Sequence, residues 1–323
     1  MNRVKFLLKI FFSIAVLLWL GAQSFAFASE SASPRVAVGK HLFLDAEECD
    51  DETFFDAESA FSEEEFDCED YAEEQTLVSY QVQGNRIVHP RPAALSDPSL
   101  RDLQRDSVQH QKIWTLFVTL FPAERRALVS QFVIFTDGAD GTHAAVEPDE
   151  NDLTKWILSV DIADARNENE LTETLIHEFG HLLTLNAAQV PPHAAAQQSD
   201  KAFRKAQAAC PHYFTGEGCS LPTSYIHTFH ARFWRGEIEK AWRRMTDAGE
   251  DEEGLERFYK KYRDQFVSDY AASDPAEDIA ESWTEFVLKP KPLGKTIAQK
   301  KISFFYDYPE LVELRAYIRA RTK

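Results

Sequence analysis

Residues 169–185 read NELTETLIHEFGHLLTL. Leu171, Leu175, Ile176, Phe179, Leu182 and Leu183 recur at helical spacing, so the stretch predicts an amphipathic helix. The acidic residues near its start complement the positive end of the helix dipole. His177 and His181 stand four residues apart, which places both imidazoles on one face. Two such nitrogens can grip one metal ion, and Zn2+ is the ion this pattern points to. Glu178, beside them, is placed to act as a general base toward water. Gly180 lets a neighbouring backbone come close.

Outward from this helix, residues 131–136 (QFVIFT) and 155–161 (KWILSVD) are rich in β-branched and aromatic residues and predict strands. Asp137-Gly138 and Asp140-Gly141 between them are turn signals. On the other side, helices are expected over 225–244, 254–267, 275–288, 296–305 and 309–319, with Pro275 and Pro309 suited to first-turn positions. The fold class is therefore α+β: a small β-sheet, then the His177–His181 helix, then a C-terminal helical bundle.

A hydrolytic zinc site needs a third protein ligand and an open position for water. The residues just beyond His181 do not supply it, since Thr184 and Ala187 replace the Gly and His of the metzincin continuation. Glu277 and Glu281 share one face of the helix expected at 275–288, so one can ligate while the other supports. His193, His212, His227, His230, Asp278 and Glu281 are rival ligands. His227 and His230 also read as core residues of an aromatic-rich helix, and His193 and His212 follow prolines in loops.

The HEFGH helix followed by Tyr270-x6-Glu277-x3-Glu281 resembles the gluzincin metallopeptidases, in particular the lethal-factor-like group. The resemblance covers the metal helix and the ligand helix, and implies a zincin-like catalytic domain. It also implies Glu277 as third zinc ligand, Tyr270 as the hydroxyl that steadies the oxyanion or water, and Glu281 as the partner of a zinc-bound His. Two features depart from the family pattern: 96 positions separate His181 from Glu277, and no Asn-Glu-x-x-Ser-Asp ligand motif is present. The strand before the metal helix, Trp156 to Val160, is expected to accept an extended peptide by strand addition.

At the N-terminus a basic start, an apolar run from Phe6 to Leu20 and the small residues Ala26 and Ala28 read as a signal peptide over 1–28, cleaved after Ala28. Its loss takes the formal charge from −18 to −21. Asp45 to Glu74 holds 16 acidic residues and no Lys or Arg, so 29–85 reads as an acidic linker, partly disordered, or as a pro-segment or cation-binding region. The catalytic domain is placed at 86–323. Export makes disulfides the natural reading of Cys49, Cys68, Cys210 and Cys219, with sequence proximity favouring Cys49–Cys68 and Cys210–Cys219. The acidic balance repels nucleic acid.

The sequence thus points to a secreted or periplasmic zinc metallopeptidase acting on a protein or peptide substrate, with no membrane association after signal cleavage. A zinc amidase acting on cell-wall peptides shares the same site. A non-catalytic cation-binding surface protein with a structural zinc is the reading from another class.

Overall fold

Strand β1 (Gln75–Gln83) opens the sheet, and it carries two successive buried residues, Leu77 and Val78. Strict alternation forbids that, and a bulge between Thr76 and Val78 in the pairing with the neighbouring strand accounts for it. The computed structural model describes residues 74–138, 141–247 and 252–322. Strand β1 therefore lies inside the stretch that charge alone assigns to the acidic segment, before position 86.

From β1 the chain turns into β2 (Arg86–Pro92), then into helices α1 (Arg101–Arg105), α2 (Ser107–Leu120) and α3 (Ala123–Arg126). Three strands follow: β3 (Val129–Thr136), β4 (Ala144–Asp149) and β5 (Asp152–Asp161). The sheet order is β2-β1-β3-β5-β4. Only β3 and β5 run parallel; the other three pairs are antiparallel. The expected strands at 131–136 and 155–161 are present. β5, however, is paired on both sides, by β3 and β4, so Trp156–Val160 has no free edge to offer a peptide. The edge strand on this side is β4, the opposite edge being β2, and β4 is hidden in the sequence by Glu147-Pro148-Asp149. Proline is tolerated there because an edge strand has one unpaired side.

Helix α4 (Glu168–Leu185) packs against strand β4. Asn167 caps it by accepting from the Asn169 and Glu170 amides. All residues from Leu175 to Leu185 are buried, as befits a helix covered on several sides rather than on one face. After it come α5 (Asp200–Ala209), α6 (Tyr225–Phe233), α7 (Glu237–Asp247), α8 (Glu252–Lys261), α9 (Pro275–Leu288), α10 (Ile297–Phe304) and α11 (Pro309–Arg319). The single helix expected over 225–244 is two, broken at Gly236, whose φ of 106° no α-helix accommodates. The helix expected over 254–267 ends at Lys261 and continues as a short 3-10 turn, Arg263–Gln265.

α4 and α9 are the pair that matters for the site. A Cβ on Gly180 would lie 3.1 Å from the Ala280 Cα and 3.0 Å from the Trp283 ring, so glycine sets how closely the two helices approach. Phe179 stacks on Phe121, with ring centroids 4.0 Å apart, and meets Trp283 on its other side. Among the described residues no helix is long and apolar enough to cross a membrane.

Candidate metal centre

Asp274 caps α9 by accepting from the Ala276 and Glu277 amides, with Pro275 in the first turn. That cap starts the helix where Glu277 and Glu281 both face α4. His177, His181 and Glu277 are 8%, 6% and 1% exposed, and each brings a ligand atom to one point. His177 Nε2 lies 3.1 Å from His181 Nε2 and 3.1 Å from Glu277 Oε2, and His181 Nε2 lies 3.4 Å from Glu277 Oε2. Ligand atoms held tetrahedrally at about 2.0–2.1 Å from one ion are about 3.3 Å apart, so the spacing suits a metal. Two neutral imidazoles cannot both accept across such a gap without a cation or proton between them.

His177 Nδ1 meets Glu281 Oε1 at 2.8 Å, and Ser268 donates to the other Glu281 oxygen at 2.6 Å. A proton on Nδ1 leaves Nε2 as the lone-pair atom, aimed at Glu277 and His181. Burial works to lower the His177 pKa, but the hydrogen bonds and charges of Glu277 and Glu281 outweigh it and hold it well above the usual value. Glu277 shows the counterpart. Burial pushes it up, yet His181 and His177 hold its carboxyl well below the normal range. An ionised carboxylate facing two imidazoles is the donor set that a divalent transition metal takes.

Glu178 is 4% exposed. Burial raises its pKa to about 7, against the opposing influence of His177 and His181, and the Val146 amide of edge strand β4 donates to it. A carboxylate near 7 is matched to proton transfer at neutral pH. Tyr270 is 7% exposed, with its ring centroid 5.8 Å from that of His177. Its hydroxyl stays protonated far into the alkaline range, chiefly through burial and then through the charge of Glu277, to which it hydrogen-bonds.

The rival ligands lie elsewhere. His193 Nδ1 accepts from the Ala196 amide. His212 packs edge-on against His227, and His230 stacks on Tyr213. Asp278, next to Glu277, points away toward Trp234 and Lys301. Sequence reading missed Ser268, the Val146 amide and the Asp274 cap; only the last carries a signal, an Asp-Pro pair before an apolar-periodic run.

Cys210 and Cys219 form a disulfide that closes a hairpin, and Glu217 in that hairpin acts electrostatically on His181, so the insert after α4 reaches the site. Cys49 and Cys68 lie outside the described residues, as do residues 1–28, expected to be a signal peptide, and the acidic stretch up to residue 73. A second group, Asp137, Asp161 and Asp164, gathers at the C-terminal ends of β3 and β5. Its Asp161 accepts from the Asp137 and Ala163 amides, the pattern of a carboxylate that organises its own loop. No protein-family model, curated protein or solved structure matches the chain.

Proposed function

We propose that this chain is an exported zinc metallopeptidase of the gluzincin type, with a zincin-like catalytic domain, that hydrolyses peptide bonds in a protein or peptide substrate. The observation that carries this reading is the convergence of His177, His181 and Glu277 from two helices, with Glu178 beside them and Glu281 fixing the His177 tautomer. Three protein ligands rather than four, among the described residues, suit a catalytic site more than a structural one. Zinc held there supplies Lewis acidity, polarising a carbonyl and lowering the pKa of water to about 7.

Glu178 takes the proton of the attacking water and passes it to the leaving amine, and its Val146 contact keeps the carboxylate turned toward edge strand β4. Among the described residues β4 pairs with β5 alone, so its other side is placed to accept an extended substrate by backbone hydrogen bonds. Tyr270 donates a hydrogen bond to the developing oxyanion. The Cys210–Cys219 disulfide supports an oxidising compartment, in keeping with the signal sequence at 1–28.

The test is hydrolysis of an unfolded protein substrate before and after metal removal. Chelation abolishes cleavage and one equivalent of zinc restores it. Full activity in the metal-free protein would refute the reading.

A further inference from the structure

Lys301 on α10 is fully buried, a rare state for a lysine. Its Nζ lies 2.5 Å from Asp278 Oδ2, and the Phe266, Trp234 and Phe229 rings surround it, with centroids at 4.1, 5.7 and 5.9 Å. Trp234 Nε1 donates to the same Asp278 oxygen at 2.7 Å. Asp278 is also fully buried, and it is the residue directly after Glu277 on α9. Neither Lys301 nor Trp234 is within the metal-ligand group.

Consecutive helix positions differ by about 100°, so Asp278 faces α10 while Glu277 and Glu281 face α4. Turning α9 about its axis by about 10° would carry a group about 6 Å from that axis by about 1 Å. Metal–ligand distances tolerate only about 0.2 Å. Contact with α4 restrains α9 from one side, through Gly180, Ala280 and the Phe179–Trp283 ring contact, and the Lys301–Asp278 pair adds a directional restraint from α10.

We infer that the Lys301–Asp278 ion pair, seated in its aromatic box and joined by Trp234, is a positioning device that fixes the rotation of α9 and so aims Glu277 at the metal. The inference rests on the metal-centre reading above. Asp278 and Lys301 touch neither metal nor substrate; they act through the helix. A buried ion pair is a costly way to gain stability, and its best-attested use is to fix a register.

The experiment compares zinc affinity, by competition with a chromophoric chelator, in the full chain and in the double variant Asp278→Asn, Lys301→Met. That variant removes both charges and leaves a side-chain amide oxygen at position 278 able to accept from Trp234 Nε1, so the fold is kept. Zinc affinity is expected to fall 10- to 100-fold while the thermal unfolding of the metal-free protein changes little. Trp234→Phe, which deletes only the indole donor, is expected to weaken zinc several-fold and serves if the double variant does not fold. Affinity within twofold of the unsubstituted protein in a folded variant overturns the inference. Absence of zinc binding by the unsubstituted protein would instead overturn the metal-centre reading itself.

Discussion

Glu281 joins two hydrogen bonds, one with His177 Nδ1 and one from Ser268, and both hold the imidazole rather than the ion. Glu281→Ala is therefore expected to weaken zinc binding 10- to 100-fold, and Glu281→Gln, which still accepts from the ring N–H, to recover part of the loss. A chelator titration of the two variants checks this; equal affinity in all three proteins would remove Glu281 from the site. At this scale the sequence was most informative. Two His and a Glu at fixed helical spacing require only one helix to meet, so His177, Glu178 and His181 were legible without any tertiary knowledge. Helical spacing made Glu277 one candidate beside Glu281, and the Tyr270-x6-Glu277-x3-Glu281 resemblance singled it out, because no local periodicity reveals which helix will pack 96 residues later. Ser268 and Lys301 left no mark at all, since nothing in their own surroundings in the chain announces a partner on another element.

Between elements, the approach of α4 to α9 decides whether three ligand atoms reach one point. Gly180→Ala pushes a methyl group to 3.1 Å from the Ala280 backbone, which cannot yield as a side-chain tip would. Overpacking of that kind costs roughly 1–3 kcal/mol, partly offset by the about 1 kcal/mol that alanine gains over glycine in a helix. The expected outcome is a modest loss of stability in denaturant titration with a clear loss of zinc affinity, as Glu277 is levered away from His177. Unchanged zinc affinity would show that the crossing does not set the site. The elements themselves were read unevenly. β3, β5, α4 and α9 carry strong apolar patterns and were expected. β4 was masked by Pro148 and its acidic neighbours, and β1 by the boundary drawn from charge, because composition marks where acidity ends and not where backbone pairing begins. The break at Gly236 went unread because aromatic residues continue the helical pattern up to Trp234.

Over the whole molecule, pH also acts on groups outside the His177–His181–Glu277 cluster. His230 is 5% exposed against Tyr213, and burial lowers its pKa to about 4 despite the opposing charge of Glu239. The fold thus favours the neutral ring, and the stability this contributes is complete above about pH 6.5 and is lost as pH falls toward 4. Relative to His230→Phe, the unsubstituted protein should lose roughly 2–3 kcal/mol between pH 7.5 and 4.5, read from denaturant midpoints. Parallel pH profiles would contradict the buried neutral state. The α+β architecture was legible because strand-like runs precede the metal helix and helical runs follow it, although α1–α3 interrupt the strands between β2 and β3. The strand order was not, since the crossover that makes β3 and β5 parallel while β4 takes the edge depends on contacts no single segment encodes.

All three scales meet in Glu178, which the α4 helix buries, the β4 edge touches and the metal ligands surround. The decisive measurement is the cleavage of an unfolded protein by Glu178→Gln, with zinc content determined on the same preparation. One zinc per chain is expected, as in the unsubstituted protein, with the rate reduced by about 10²–10⁴-fold. Full cleavage by a zinc-loaded Glu178→Gln protein would contradict this expectation.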